Sequence, residues 1–247
     1  YTRRGPGQSY LKRVLSPRIN EVVAMHDTDL ETNPQRIYEQ LCAEGRCERA
    51  NLPPEEVTAL PEVQVVLRPR AEALCRIAGG FLDTVVGSLP LIPYGIRWIC
   101  KQIRGLTRRK YPQLPDAALC SLIGAFFFLR FVNPAVVTPQ ACMLVDEAPS
   151  LNPRRTLTLV AKMLQTLVNK PAVHKEPFMQ CVEPFFTENK PRVHAFLYTV
   201  CNVGDFYDTM ELDQYIGLSK RDLSISITLN EMYPVSYTHL TLPTILL

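Results

Sequence analysis

Apolar positions crowd residues 116–139, which read DAALCSLIGAFFFLRFVNPAVVTP. On a helix of 3.6 residues per turn they occupy nearly every side: Leu119, Leu122, Ile123, Phe126, Phe127, Phe128, Leu129, Phe131 and Val132. A helix that is apolar nearly all round must be buried on most sides. This segment therefore predicts the central helix of the fold.

One cation and one proline follow the aromatic run. Arg130 stands in the last turn, and Asn133 comes directly before Pro134. Because proline has no N–H and disfavours the α conformation in the preceding residue, we predict that the helix ends at Asn133. Burying Arg130 without a partner would be costly, so we expect it to reach hydrogen-bond acceptors or to open onto a surface.

Helical periodicity recurs along the rest of the chain. It predicts further helices within residues 9–23, 34–41, 63–86, 96–106, 153–169, 178–186 and 193–203. Pro34 is typical of a first helical position, and Asn152 before Pro153 is typical of an N-cap followed by the first helical position. Residues 44–61 are charged and proline-rich and predict a loop with at most a short helical turn. Residues 223–229 alternate apolar and polar positions, which leaves a short strand open as an alternative to helix.

Two predicted helices carry polar faces that could bind a partner. In residues 96–108 the cations Arg97, Lys101, Arg104 and Arg108 share one side, and either they steer an acidic partner or they form a solvated helix face. In residues 158–169 one side reads Thr158, Lys162, Gln165 and Asn169. That polar stripe suits recognition, although ordinary solvent exposure would explain it equally well.

The segment FFFLRFVNPAVVTP resembles the FLR…NPA signature of the Ras GTPase-activating (RasGAP) domain, with Phe-Leu-Arg, Asn-Pro-Ala and Thr-Pro at the family's spacing. IPYGIRWICKQI, LVAKMLQTLVNK and LSKRDLSISITLNEMY are similar to the IQGAP-like branch, most of all to its fungal members. The resemblance covers residues 1–233. It implies an all-α, multi-helix RasGAP fold and a Ras-type small GTPase as partner.

The resemblance also implies roles for individual residues. Arg130 would brace the loop that carries the family's catalytic arginine finger, and Asn133 would contact a switch region of the GTPase. The candidate GTPase-binding and finger-loop-supporting residues are Arg130, Asn133, Pro134, Ala135, Lys162, Gln165 and Asn169. The alternative for Arg130 and Asn133 is a hydrogen-bonded helix C-terminus. The finger itself is expected to lie before residue 1.

No signature of an enzyme with its own substrate pocket is present: the sequence lacks GxxxxGK[ST], G-x-S-x-G and HExxH. We therefore expect a GTPase activator rather than an enzyme, with no catalytic residue, cofactor or metal site of its own. In the RasGAP family that the chain resembles, the partner GTPase holds the nucleotide, the magnesium ion and the attacking water. The activator supplies an arginine worth about 10³–10⁵-fold in rate.

The composition limits the class of protein and its expected location. A chain of 247 residues with 47% apolar residues suffices for one large helical core, and a net charge of +3 is far below the basic footprint of a nucleic-acid binder. We find neither a signal peptide nor an uninterrupted apolar run of about eighteen residues, and predict no transmembrane segment. The expected location is cytoplasmic, including the plasma-membrane face or cell cortex through the partner. The eight cysteines are expected to be reduced core thiols.

The end of the chain looks foreign to the rest. VSYTHLTLPT at residues 235–244 matches one translated frame of a common sequencing adapter, so we expect residues 234–247 to be a non-native tail. A genomic reading frame that encodes this peptide would contradict the expectation.

Three functions remain open at this stage. The first is a catalytic activator that down-regulates Ras signalling. The second is an IQGAP-type module that binds GTP-loaded Cdc42 or Rac without accelerating hydrolysis, linked to the actin cytoskeleton and cytokinesis. The third is a helical scaffold without a GTPase partner. An upstream arginine in the finger loop favours the first, and a threonine there favours the second.

Overall fold

The computed structural model describes residue 2 and residues 5–47, 52–169 and 181–205. Contacts divide the chain into one unit of Tyr1–Val203 and another of Gly204–Leu247. The second unit falls almost wholly outside the described residues, as do the possible strand at residues 223–229 and the expected tail. All helices below belong to the first unit.

The described residues form helices and no strand, which confirms the all-α fold class. The α-helices are α1 Gly5–Ala24, α2 Pro34–Ala43, α3 Pro54–Ala59, α4 Pro61–Gly87, α5 Tyr94–Lys110, α6 Asp116–Gly124, α7 Asn133–Val137, α8 Leu151–Val168 and α9 Glu183–Val200. A π-helical stretch, Ala125–Val132, joins α6 to α7, so Asp116–Val137 is one continuous helix, called the core helix below.

Several predicted helix starts can be compared with the structure. Asn33 caps α2 by accepting a hydrogen bond from the Gln35 N–H at 3.0 Å, and Pro34 is the first helical residue, as predicted. The prediction for Asn152 was wrong, because α8 begins at Leu151 with Ser150 at the N-cap. The Asn152 amide instead donates to the His26 carbonyl at 3.2 Å, which ties α8 to the end of α1.

The helices predicted in residues 178–186 and 193–203 are joined in the structure, because the single helix α9, Glu183–Val200, contains residues of both. Helix α9 runs through Pro191 without interruption, and residues 178–180 lie outside the described part of the chain. Between α2 and α4, the described residues contain only the six-residue α3, in agreement with the predicted loop and short helical turn.

The main core surrounds the core helix. Phe127, Phe128 and Phe131 are essentially fully buried, and Phe127 makes an edge-to-face contact with Phe196 of α9 at 5.4 Å between ring centroids. Tyr10 of α1 stacks on Phe131, while its hydroxyl pairs with the Ser88 hydroxyl at 2.8 Å. Burial raises the pKa of Tyr10 to about 12, so this phenol is neutral at physiological pH. A smaller apolar cluster joins α2, α3 and the start of α4.

The core helix does not end at Asn133, so that prediction was wrong. Asn133 is helical (φ −61°, ψ −37°), and its N–H bonds to the Phe128 carbonyl five residues back. In an α-helix a proline clashes with the carbonyl four residues earlier. The wider π turn before Pro134 shifts the hydrogen bonding to five residues and accommodates the ring, so the helix continues to Val137.

The core helix is also less enclosed than its apolar sequence predicted. Leu122 is 47% exposed and Leu129 is 50% exposed, on a side that also includes Arg130. By length and composition Asp116–Val137 could span a membrane, but half of its apolar window is buried inside the protein. This is the pattern of a core helix that presents one face at the surface.

The core helix and α8 approach closely at Gly124. A Cβ atom added to Gly124 would overlap a Val168 methyl and lie 3.0 Å from the Val168 Cβ. One turn earlier, the Ser121 hydroxyl donates to the Val168 carbonyl at 2.8 Å. Glycine is therefore required here by the packing of α8, since Gly124 itself has ordinary helical φ and ψ.

The cationic face of α5 binds the C-terminal end of α9. Its donors reach carbonyls in the last turn of α9 and in the residues just after it, and they offset the partial negative charge at that helix end. The shorter contacts are Arg97 to the Asn202 carbonyl (2.8 Å), Lys101 to the Val203 carbonyl (2.9 Å) and Arg104 to the Asn202 side-chain oxygen (3.0 Å). These cations form a helix cap, which neither interpretation from the sequence anticipated.

The eight cysteines are present as thiols, three of them buried and five partly buried. Burial raises the pKa of Cys181 to about 11 and that of Cys201 to about 11, the latter despite the opposing effect of Arg104. At neutral pH these thiols are protonated and are poor nucleophiles.

Candidate functional site

A chain of three side-chain amides joins the core helix to the polar stripe of α8. The Asn133 Nδ2 donates to the Ala161 carbonyl and to the Gln165 Oε1, each at 3.2 Å. The Gln165 Nε2 in turn donates to the Asn169 Oδ1 at 3.2 Å. The structure thus brings together three of the residues singled out in the sequence, although Asn133 and Gln165 are 32 positions apart.

These residues lie at different depths. Asn133 is only 6% exposed and Ala135 is fully buried, whereas Pro134 and Gln165 are partly exposed. Lys162 and Asn169, at the outer edge of the same α8 face, are exposed. The predicted set therefore consists of an interior part, Asn133 and Ala135, and a surface part carried mainly by α8.

The orientation of the Asn133 amide follows from its neighbours. A carbonyl can only accept, so the amide nitrogen must face Ala161, and the Oδ1 points elsewhere. That Oδ1 is buried and has no hydrogen-bond partner among the residues that the structure describes. An unsatisfied buried acceptor reduces the net stabilisation that the two donated hydrogen bonds provide.

Replacing Asn133 with alanine should therefore destabilise the domain only modestly, by about 1 kcal/mol, because two hydrogen bonds are lost while an unsatisfied acceptor is also removed. In this variant Gln165 loses the hydrogen bond that the Asn133 amide donates to it. For the GTPase partner that the resemblance implies, we expect a loss of affinity larger than this small change in stability would explain. Chemical denaturation together with GTPase titration measures both effects, and unchanged affinity would contradict a positioning role for Asn133.

Arg130 lies on the open face of the core helix. It is exposed, and it makes no hydrogen bond or ion pair within the described ranges of the chain. The prediction that it reaches acceptors or opens onto a surface is met by the second alternative. Leu129 is half exposed beside it. The sequence could not single out Leu129, because the surrounding run is apolar on every side.

A cleft of about 410 Å³ lies at the N-terminal half of α8, and sequence reasoning missed it. One wall is formed by residues near the start of α2 and the other by α8. The lining residues are Glu31, Asn33, Arg36, Leu151, Arg154, Arg155, Thr158, Leu159 and Lys162. Thr158 and Lys162 belong both to this cleft and to the predicted polar stripe. We call it the cationic cleft.

A buried carboxylate supports the cationic cleft from below. The Glu31 side chain is 7% exposed and forms ion pairs with Arg36 at 3.4 Å and with Arg155. Its other oxygen accepts the Asn33 N–H at 2.9 Å. The structure brings Arg155 of α8 to residues 31–36, which lie 124 positions earlier than Arg155 when counted from Glu31, so no local sequence pattern could have indicated the ion pair. No group of three or more potential metal-ligating side chains occurs in the part of the chain that is described.

Fold and site together define an all-helical domain in which the core helix is hydrogen-bonded through Asn133 to the polar face of α8. The chain belongs to the RasGAP family, since residues 1–169 match the family described as GTPase-activator protein for Ras-like GTPase. The resemblance seen in the FLR…NPA segment is thereby confirmed.

Similar proteins support this family assignment. The chain is 32% identical over 97% of its length to the Ras GTPase-activating-like protein gapA of Dictyostelium discoideum, and 27% identical over 92% to the human Ras GTPase-activating-like protein IQGAP2. It is 32% identical over 56% to the rat Ras GTPase-activating protein 1. It spans 29%, 15% and 13% of these proteins, respectively, so it corresponds to less than a third of each.

Proposed function

We propose that this chain is a GTPase-activating domain that binds a Ras-type small GTPase and stimulates its GTP hydrolysis, and that it thereby down-regulates Ras signalling. The observation that carries the proposal is the hydrogen-bonded connection from the FLR…NPA segment, through Asn133, to the polar stripe of α8. That connection supports the proposal because it links the family signature to the exposed polar stripe of α8.

Each part of the surface has its own role in the proposal. Lys162, Gln165 and Asn169 contact the GTPase, and Asn133 and Ala135 set their position from beneath. The exposed Leu129 of the core helix adds apolar contact area. Arg130 donates hydrogen bonds to the backbone of the finger loop. The exposure of Arg130 on the core helix supports this role.

The bond-breaking chemistry takes place in the partner. The GTPase holds the nucleotide, the magnesium ion and the attacking water, and the activator adds an arginine that stabilises the charge of the transition state. This chain's contribution is to bind the GTPase and to hold the finger loop in a fixed orientation. The proposed location is the cytoplasmic face of the plasma membrane or the cell cortex, reached through the partner.

A second candidate is an IQGAP-type module that binds GTP-loaded Cdc42 or Rac without activating it. The match to IQGAP2 over 92% of the chain favours this alternative. Both functions would use the same surface. The residue at the tip of the finger loop, arginine or threonine, distinguishes them.

The decisive experiment is single-turnover GTP hydrolysis by Ras, with and without the domain extended upstream by its natural sequence. Acceleration by several orders of magnitude supports the activator. Binding to GTP-loaded Cdc42 or Rac without acceleration supports the second candidate. If neither GTPase binds in its GTP-loaded form, both proposals fail.

Replacing Lys162 with glutamate should weaken GTPase binding by about 10-fold or more, because it reverses a charge within the proposed interface. The melting temperature should remain unchanged, since Lys162 is exposed on α8. Calorimetric titration with the GTP-loaded GTPase measures the affinity. Arg109→Glu on α5 is the matched control, because Arg109 is exposed and lies outside the proposed surface. Unchanged affinity in Lys162→Glu would place this face outside the interface.

A further inference from the structure

The cationic cleft extends the polar stripe of α8 toward the N-terminus of that helix. Thr158 and Lys162 line the cleft, and Lys162 is also in the proposed GTPase interface. A partner that contacts Lys162, Gln165 and Asn169 would therefore reach the mouth of the cleft without leaving α8. The two surfaces are continuous along one helix face.

The charge of the cleft is strongly one-sided. Its lining includes the cations Arg36, Arg154, Arg155 and Lys162 and a single carboxylate, Glu31. That carboxylate is buried and accepts from Arg36, Arg155 and the Asn33 N–H. The Glu31 carboxylate is thus already paired with residues of the cleft wall and is too buried to face an incoming group.

The guanidinium groups of Arg36 and Arg155 are held in place by Glu31 and still have donors to offer. Each guanidinium carries five N–H donors, so two arginines together have more donors than the single Glu31 carboxylate can accept. The Arg36 side chain is 61% exposed and that of Arg155 is 35% exposed, so both reach solvent while bound to Glu31. Arg154 is exposed, and its side chain makes no hydrogen bond or ion pair with residues that the structure describes.

We propose that the cationic cleft binds an acidic segment on the surface of the GTPase, outside the nucleotide groove, and so contributes to the choice of partner. The inference rests on the proposed function above. Fixed arginines favour carboxylates because the planar guanidinium matches a carboxylate with two parallel hydrogen bonds. Charge complementarity of this kind increases the association rate and discriminates between partners.

The test compares two charge reversals. Arg154→Glu changes the cleft and leaves the Glu31 ion pairs intact, and Arg109→Glu is the matched control on α5. Stopped-flow binding of the GTP-loaded GTPase should show an association rate reduced about 10-fold for Arg154→Glu and less than about 2-fold for Arg109→Glu. The difference should shrink as salt is raised from about 0.05 to 0.5 M, because salt screens exposed charges. Cooperative thermal unfolding of both variants would confirm that they fold.

A second measurement identifies the partner group. Replacing surface Asp and Glu residues of the GTPase singly with lysine should reveal at least one variant that binds Arg154→Glu better than it binds the unmodified chain. The proposal is overturned if no such variant is found and Arg154→Glu leaves the association rate unchanged, while Lys162→Glu still weakens binding. If the unmodified chain does not bind the GTPase at all, the proposed function itself fails.

An anionic membrane is the competing ligand for such a cleft. Vesicles containing about 20% phosphatidylserine in phosphatidylcholine test it directly. If Arg154→Glu abolishes vesicle binding and leaves GTPase binding unchanged, the acidic-segment proposal is overturned. If vesicle binding is absent or unaffected by the substitution while GTPase association slows, the proposal stands.

Discussion

Replacing Arg130 with alanine is expected to reduce the stimulated rate of GTP hydrolysis by about 10–100-fold, a fraction of the full effect of an arginine finger. Under the proposed function, Arg130 holds the finger loop, and an unbraced loop samples orientations in which the finger misses the transition state. The assay is single-turnover hydrolysis with the domain extended upstream by its natural sequence and present at saturating concentration.

The free energy of unfolding should change by less than about 0.5 kcal/mol in Arg130→Ala, the usual range for an exposed side chain away from special features. Arg109→Ala provides a matched control and should change neither rate nor stability. Arg130→Lys retains the charge but loses the planar set of donors, so it should recover only part of the activity. Full stimulation by Arg130→Ala would exclude the bracing role, and a large loss of stability would make Arg130 a structural residue instead.

Local sequence rules worked where the determining interactions are local. Pro34 predicted the start of α2 because a first-turn proline acts locally, and the structure shows Asn33 as the N-cap before it. The periodicity of residues 158–169 predicted which side of α8 would be polar for the same reason. The signature around Arg130 and Asn133 then identified the family, but it could not show how deeply each residue lies.

The continuation of the core helix through Pro134 was beyond those rules. They assume α-helical hydrogen bonding, in which the proline ring clashes with the carbonyl four residues earlier. The structure avoids this clash with π-helical bonding, seen in the Asn133 N–H to Phe128 carbonyl contact. As a result Asn133 stays in the helix and turns its amide inward to α8, rather than standing at an exposed helix end.

The cationic face of α5 was unpredictable for a different reason. Arg97 and Lys101 bind carbonyls about a hundred positions along the chain, at the end of α9. Amphipathic periodicity reports that a face is polar, but it carries no information on a partner so distant in sequence. The same limit hid the cationic cleft, where Glu31 and Arg155 come together across 124 positions.

The position of the polar stripe depends on how tightly α8 lies against the core helix. Two contacts set that distance: the Gly124 approach to Val168 at one level, and the Asn133 hydrogen bonds to Ala161 and Gln165 at the other. If the helices separated at Gly124, Gln165 would shift relative to Asn133. Packing and the proposed interface are therefore coupled through a single glycine.

Replacing Gly124 with alanine is accordingly expected to destabilise the domain by about 3 kcal/mol, the upper end of the usual cost of overpacking a core. The new methyl would overlap a Val168 methyl, and Val168 is fully buried, so neither helix can relieve the overlap by a simple side-chain rotation. Urea denaturation measures the change. Gly105→Ala in α5 is the matched control, because nothing lies within 4 Å of its added Cβ. It should stabilise the domain by about 0.5–1 kcal/mol through helix propensity alone.

The double variant Gly124→Ala, Val168→Ala separates this steric explanation from any other. Removing the Val168 methyls creates room for the new Cβ, so the double variant should be at least about 1 kcal/mol more stable than the sum of the two single changes predicts. Simple additivity would show that Gly124 matters for some reason other than its contact with Val168. Recovery of GTPase affinity together with stability in the double variant would show that the helix separation at this point controls the interface.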